Sequence, residues 1–108
     1  MLYEVAEFVT GNGKSPFAEW IQDIAKFDKL RMLQRIDRLK HGNFGDYKSV
    51  GDGVYELRFK FGSGYRIYYG IMDDRIVLLL CGGDKDSQRK DIESAKDYWR
   101  THNERQNS

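Results

Sequence analysis

Residues 54–71 read VYELRFKF-GSG-YRIYYGI, two runs of alternating residues on either side of a short glycine-rich segment. This period of two predicts a β-hairpin with one face in the core and the other toward solvent. The core face is predicted to carry Tyr55, Leu57, Phe59 and Phe61 from the first strand and Tyr65, Ile67, Tyr69 and Ile71 from the second. The opposite face then carries Glu56, Arg58, Lys60, Arg66, Tyr68 and Gly70.

A three-residue loop, 62–64, would fix the register of this hairpin by setting Phe59 opposite Ile67. Lys60 then lies opposite Arg66, and Arg58 opposite Tyr68. Two opposed cations repel, and cross-strand pairs are worth about 0.2–1 kcal/mol, so a hairpin built for stability alone would place a carboxylate there. Two interpretations follow: an anion-binding site, or a solvated face from which both side chains extend into water.

Composition indicates one soluble domain of 108 residues with 40% hydrophobic residues and a net charge of only +1. Basic charge is nevertheless concentrated, since residues 26–48 carry seven Lys or Arg against three Asp. The single cysteine, Cys81, lies in an apolar run and excludes an internal disulfide or a cysteine-based metal site. No apolar run is long enough to span a membrane, and the N-terminus lacks signal-peptide features, so we expect a cytoplasmic protein without membrane association.

The remaining segments predict an α+β domain of order β-α-α-β-β-β-α over residues 1–100, followed by a polar tail, 101–108. Helices are expected on one side of a mostly antiparallel sheet, which leaves the face with Arg58, Lys60, Arg66 and Tyr68 open. The predicted elements are a strand over 2–9, a helix from Pro16 capped by Ser15, a helix over 28–40 ended by Gly42, a loop over 42–53, the hairpin, a strand over 75–81 and a helix from 86 or 87.

Three segments, GDGVYELR (51–58), GYRIYY (64–69) and LLLCGGDK (78–85), followed by Gln88 and Asp91, resemble the RelE/HigB-like toxins of the RelE/ParE superfamily. The narrower resemblance is to the phage-derived "addiction module killer" branch, and it covers nearly the whole chain. It implies a two-layer RelE-like fold and a toxin of a type II toxin–antitoxin system. It further implies a metal-independent endoribonuclease without a cofactor that cuts mRNA, often on the ribosome, and a small helix-turn-helix antitoxin as partner.

The resemblance also assigns roles to individual residues. Arg66 matches the arginine that contacts the scissile phosphate, Arg58 and Lys60 match basic catalytic residues of the preceding strand, and Lys85 matches the basic residue after the last strand. Glu56 lies where some members have lysine. The family tyrosine of the last helix is absent, since Asp91 or Ile92 occupies its place, and His41 and His102 lie outside the motifs. The general base and general acid are therefore left open.

The predicted RNA-binding residues lie outside this catalytic set. Arg35 and Arg38 belong, with Arg31, to a basic stripe at helical spacing, which is read either as a solvated helix face or as a phosphate contact. Tyr68 is predicted to stack on a base. The complete set of RNA-binding candidates is Arg35, Arg38, Lys48, Tyr68 and Arg89.

Cleavage of RNA by its own 2′-hydroxyl needs a base at that oxygen, charge stabilisation at the phosphorane and an acid at the leaving 5′-oxygen. Clustered cations supply the second requirement. Like-charge repulsion also favours the neutral form of a lysine in such a cluster, which makes Lys60 the candidate base. Two alternatives stay open: a ParE-like inhibitor of DNA gyrase, a class that generally lacks the basic set, and an inactive relative that only binds its antitoxin. On the open-face prediction, Arg66→Ala should abolish toxicity with little effect on stability.

Overall fold

A single five-stranded sheet with helices against it organises the computed structural model, which describes residues 2–107. The elements are β1 (Glu4–Glu7), α1 (Pro16–Gln22), α2 (Lys26–Leu39), β2 (Tyr47–Gly51), β3 (Val54–Arg58), β4 (Arg66–Met72), β5 (Ile76–Gly83) and α3 (Gln88–Gln106). The spatial strand order is β1-β5-β4-β3-β2. β1 runs parallel to β5, and the other neighbours are antiparallel. The predicted α+β class and mostly antiparallel sheet are confirmed.

The hairpin of β3 and β4 has the predicted faces but not the predicted register. Arg58 pairs with Arg66 and Leu57 with Ile67, a shift of two residues that keeps each side chain on its face. Lys60 therefore lies in the connection and not opposite Arg66, so that prediction is wrong. Within the connection, Phe61 packs edge-on against the Tyr65 ring, and the backbone N–H of Phe59 donates to the Tyr65 carbonyl at 3.0 Å.

The sheet is covered on both faces, which corrects the expectation of helices on one side. α1 and α2 pack against the face that carries Leu57 and Ile67. α3 packs against the opposite face, where Ala95 lies in one buried cluster with Tyr68. The apolar stripe of α3 needs a partner, and this face of the sheet supplies it. The predicted open face is thus reduced to the end of the sheet next to the β3–β4 connection.

The boundaries of the helices follow local signals where those signals are strong. Ser15 caps α1 by accepting a hydrogen bond from the Ala18 N–H at 3.0 Å, as predicted. Gly42 follows α2 with φ +82°, and its N–H donates to the Leu39 carbonyl at 2.9 Å. α2 begins at Lys26, two residues before the predicted start. α3 continues to Gln106, so most of the expected polar tail is helical.

The segment expected to be a loop, 42–53, contains the edge strand β2. Its sequence, YKSVG, has no alternation of apolar residues, because most of its side chains are exposed beside β3. None of the helices in the described part of the chain is long and apolar enough to cross a membrane.

Candidate active site

Two arginines lie side by side at one end of the sheet. Arg58 ends β3, Arg66 begins β4, and the two are register partners. Each has its own carboxylate: Arg58 Nη2 is 2.8 Å from Asp46 Oδ1, and Arg66 Nε is 3.6 Å from Glu56 Oε2. These carboxylates offset the repulsion between two opposed cations, which explains how the hairpin tolerates them. Hydrogen bonding to Arg58 also lowers the pKa of Asp46.

Glu56 is the fully buried carboxylate of this arrangement, with a relative exposure of 0%. Its Oε2 accepts hydrogen bonds from the Tyr68 hydroxyl at 3.1 Å and from Gln88 Nε2 at 2.9 Å. Its Oε1 has no hydrogen-bond partner among the described residues. Burial, together with the charge of Glu56, raises the pKa of Tyr68. Because Tyr68 is itself fully buried, its ring is not available to stack on an RNA base, contrary to prediction.

Gly64 brings Arg66 close to Lys85. Its φ of +76° is in the left-handed region, and a Cβ there would lie 3.3 Å from both Arg66 Nη1 and the Cβ of Lys85. Arg66 Nη1 donates to the Gly64 carbonyl at 2.6 Å, and the Lys85 N–H donates to the Ser63 carbonyl at 3.3 Å. Arg58, Arg66 and Lys85, hereafter the cation site, therefore meet at one corner of the sheet, as predicted from their motifs.

Asp91 lies in the first turn of α3, beside the cation site. Its carboxylate packs against Gly83, the register partner of Arg66, and leaves no room there for a Cβ. The Ser87 hydroxyl donates to it. Burial raises the pKa of Asp91, although the Ser87 hydroxyl opposes that shift. A carboxyl group with a raised pKa next to cations is a common proton donor or acceptor in active sites.

Arg35 points inward and braces the strand that carries Arg58. Its Nη1 donates to the Arg58 carbonyl, and its Nη2 donates to the carbonyls of Asp46 at 2.7 Å and Phe44 at 3.3 Å. Burial lowers the pKa of Arg35. Its donors are thus engaged with the backbone, and the structure gives Arg35 a structural role in place of the predicted RNA contact.

The other candidates lie around the cation site. Lys60 and Arg38 are exposed and line a cavity between α2 and the β3–β4 connection. Lys48 is exposed on the edge strand β2, where it is the register partner of Glu56. Arg89 is exposed in the first turn of α3. The structure thus brings together three of the four predicted catalytic residues and sets Lys60 at the rim.

Comparison with known proteins agrees with this fold. A family profile described as "Phage derived protein Gp49-like (DUF891)" matches residues 19–100. An uncharacterised protein of Haemophilus influenzae (strain ATCC 51907 / DSM 11121 / KW20 / Rd) is 48% identical over 81 residues, which cover 74% of this chain and 82% of that protein. A solved structure of the E. coli toxin RelE, a double arginine-to-alanine mutant in the free state, matches with a TM-score of 0.65 at 14% identity and covers 89% of this chain and 95% of that one.

The structural match shows that the chain has a RelE-like fold. The family profile covers most of the chain, so the protein belongs to the Phage derived protein Gp49-like family. The phage-derived branch and the RelE-like fold expected from the three sequence motifs are thereby confirmed.

Proposed function

We propose that this protein is the toxin of a type II toxin–antitoxin system, an mRNA endoribonuclease that works at the cation site, on free or ribosome-bound mRNA, in the cytoplasm. We further propose a small helix-turn-helix antitoxin as its partner. The observation that carries the enzymatic proposal is the convergence of Arg58, Arg66 and Lys85 at one corner of a RelE-like sheet. Three cations at one corner of the sheet are suited to hold a phosphodiester.

The reaction proposed is transesterification within the RNA strand. The 2′-oxygen loses its proton to a general base and attacks the adjacent phosphorus. The bond from phosphorus to the 5′-oxygen then breaks, and that oxygen takes a proton from a general acid. The products are a 2′,3′-cyclic phosphate and a 5′-hydroxyl. Cations already in place stabilise the extra negative charge of the phosphorane without reorganisation, which is the largest contribution in many enzymes.

Two groups beside the cation site are suited to move the protons. Lys60 is exposed two residues after Arg58, at the start of the β3–β4 connection. Asp91 lies across Gly83 from Arg66, and burial raises its pKa. Arg58 and Arg66 hold the phosphate.

The test is cleavage of mRNA by purified protein with and without ribosomes. Lys60→Arg keeps the charge but cannot deprotonate near neutrality, and Asp91→Asn keeps the shape but cannot exchange a proton. If each group transfers a proton, each variant should lose about 10²–10⁴ in cleavage rate with RNA binding retained. Arg58→Lys should be milder. The matched control is Arg75→Ala, which removes an exposed arginine at the opposite end of β4.

A supercoiling assay with DNA gyrase separates this proposal from its alternative. A nuclease leaves gyrase active, whereas a ParE-like inhibitor blocks supercoiling and leaves mRNA intact. Absence of cleavage under both conditions, together with gyrase inhibition, would show that the cation site serves another purpose. Equal rates for wild type and Lys60→Arg across pH 6–9 would remove Lys60 from the mechanism and leave Asp91.

A further inference from the structure

A cavity of about 290 Å³ lies between α2 and the β3–β4 connection, and neither the family nor the proposed chemistry accounts for it. Its lining residues are Arg31, Gln34, Arg35, Arg38, Lys60 and the two phenylalanines on either side of Lys60. Four of these side chains are cationic, and no carboxylate lines the cavity. The cavity therefore offers several donors to an anion.

One wall of the cavity is a cation–π contact. The Arg31 guanidinium carbon lies over the Phe61 ring, 3.8 Å from its centroid, and Arg31 is exposed. The planar guanidinium is thus accessible to a ligand that stacks on it. RNA-binding proteins stack unpaired bases on aromatic rings and on such guanidinium planes. The cavity thus combines cations for a phosphate with a plane for a base.

Two features connect the cavity to the cation site: a short stretch of chain and a set of hydrogen bonds. Lys60, on its rim, follows Arg58 by two residues. Arg35, at its base, donates to the Arg58 carbonyl and to the Asp46 carbonyl, and Asp46 in turn pairs with the Arg58 guanidinium. The cavity and the cation site are therefore both anchored at Arg58, the residue that ends β3.

We propose that this cavity binds one unpaired nucleotide next to the scissile phosphodiester, with Arg38 on its phosphate and Arg31 stacked on its base. The proposal rests on the proposed ribonuclease function, and it names the substrate as single-stranded RNA. The volume is at the lower end of ligand cavities, which range over about 300–1,000 Å³, and suits one nucleotide better than a folded RNA element.

Binding is measured separately from cleavage, with fluorescence anisotropy of a short 2′-O-methyl RNA that cannot be cleaved by its own 2′-oxygen. Arg31→Ala should weaken binding roughly 5- to 150-fold, the range for loss of one stacked base. Arg31→Lys should show most of the same loss of RNA affinity, because lysine lacks the guanidinium plane. Its salt dependence should be that of wild type, because lysine retains the charge. Arg38→Ala should reduce the slope of log K against log salt by about 0.7. Arg75→Ala is again the matched control.

An abasic strand of the same length isolates the stacking contact. Wild type and Arg31→Lys should bind the abasic strand equally well, because the two proteins differ only in their ability to stack on a base and this strand has none. The cavity proposal is overturned if Arg31→Ala and Arg38→Ala bind RNA as tightly as Arg75→Ala does, or if wild type binds no RNA. Wild type that binds with the expected pattern but cleaves nothing would support the cavity and refute the ribonuclease. Cleavage of RNA by wild type, with unchanged RNA binding in the cavity variants, would support the ribonuclease and refute the cavity proposal.

Discussion

Glu56 determines where the guanidinium of Arg66 lies. Arg66 has a side-chain exposure of only 15%, and the carboxylate behind it is completely buried. That carboxylate is held in turn by Tyr68 and by Gln88 of α3. The helix on one face of the sheet thereby fixes a side chain that must meet substrate at the edge, which is the usual task of residues behind an active site. Arg66 is a structural residue as well as a candidate for catalysis.

The first prediction at the residue scale follows from this burial. Arg66→Ala should lower the free energy of unfolding by about 3 kcal/mol, because it leaves the buried Glu56 carboxylate without its cation. This reverses the expectation from sequence that the change would leave stability intact. The double variant Glu56→Gln/Arg66→Ala should be less destabilised than Arg66→Ala alone, as measured by urea denaturation. Additive losses in this mutant cycle would show that the two side chains do not interact.

At the scale of elements, the connection between β3 and β4 sets the spacing of the cation site. Two glycines with positive φ, Gly62 at +61° and Gly64 at +76°, shape it. Gly64 is the one that matters for function, because a side chain there would meet both Arg66 and Lys85.

Gly64→Ala should therefore lower both stability and cleavage. The left-handed conformation costs alanine about 1–2 kcal/mol, and the new methyl group pushes Arg66 and Lys85 apart. Gly13→Ala is the matched control, since Gly13 has φ +81° and nothing within 4 Å of its would-be Cβ. The control should show a similar loss of stability with full activity. Equal activity of the two variants would mean that the spacing of Arg66 and Lys85 is unimportant.

The faces and the register of this hairpin show how much of the structure could be predicted from the sequence. The alternation of residues 54–58 and 66–72 identified both faces, and Ser15 and Gly42 marked helix ends, because these are local signals. The register depended on Phe61 packing against Tyr65, a contact that a count of turn residues does not contain. Arg35 appeared equivalent to Arg31 and Arg38 in the periodic pattern. Its true role depends on carbonyl groups of residues 44, 46 and 58, which come together only in the folded chain.

For the molecule as a whole, the position of α3 was predicted wrongly: it packs on the face of the sheet opposite α1 and α2. Its apolar stripe predicted burial but did not indicate against which face. Had α3 been placed on the face that carries Glu56, the sequence would have predicted a buried carboxylate there. A buried carboxylate needs hydrogen-bond or charge partners. Tyr68, Gln88 and Arg66 are those partners.

The proposed function also predicts how expression of the protein affects bacterial growth. If the protein is the proposed toxin, expression of this chain alone should arrest bacterial growth, and co-expression of the product of a neighbouring gene should restore it. Arg75→Ala should arrest growth as wild type does, whereas Asp91→Asn, which should still fold, should not. The measurement is optical density and viable count after induction, with soluble protein quantified in parallel. Normal growth at a high level of soluble wild-type protein would contradict the prediction.

The parallel pairing of β1 with β5 has a consequence for synthesis. It joins the beginning of the sequence to its last strand, so β1 has no partner in the sheet while the chain is being made. The buried carboxylate behind Arg66 is likewise uncovered until the residues of α3 leave the exit tunnel. A nascent chain therefore carries its arginines without the support that orients them until α3 has been made and has folded onto the sheet.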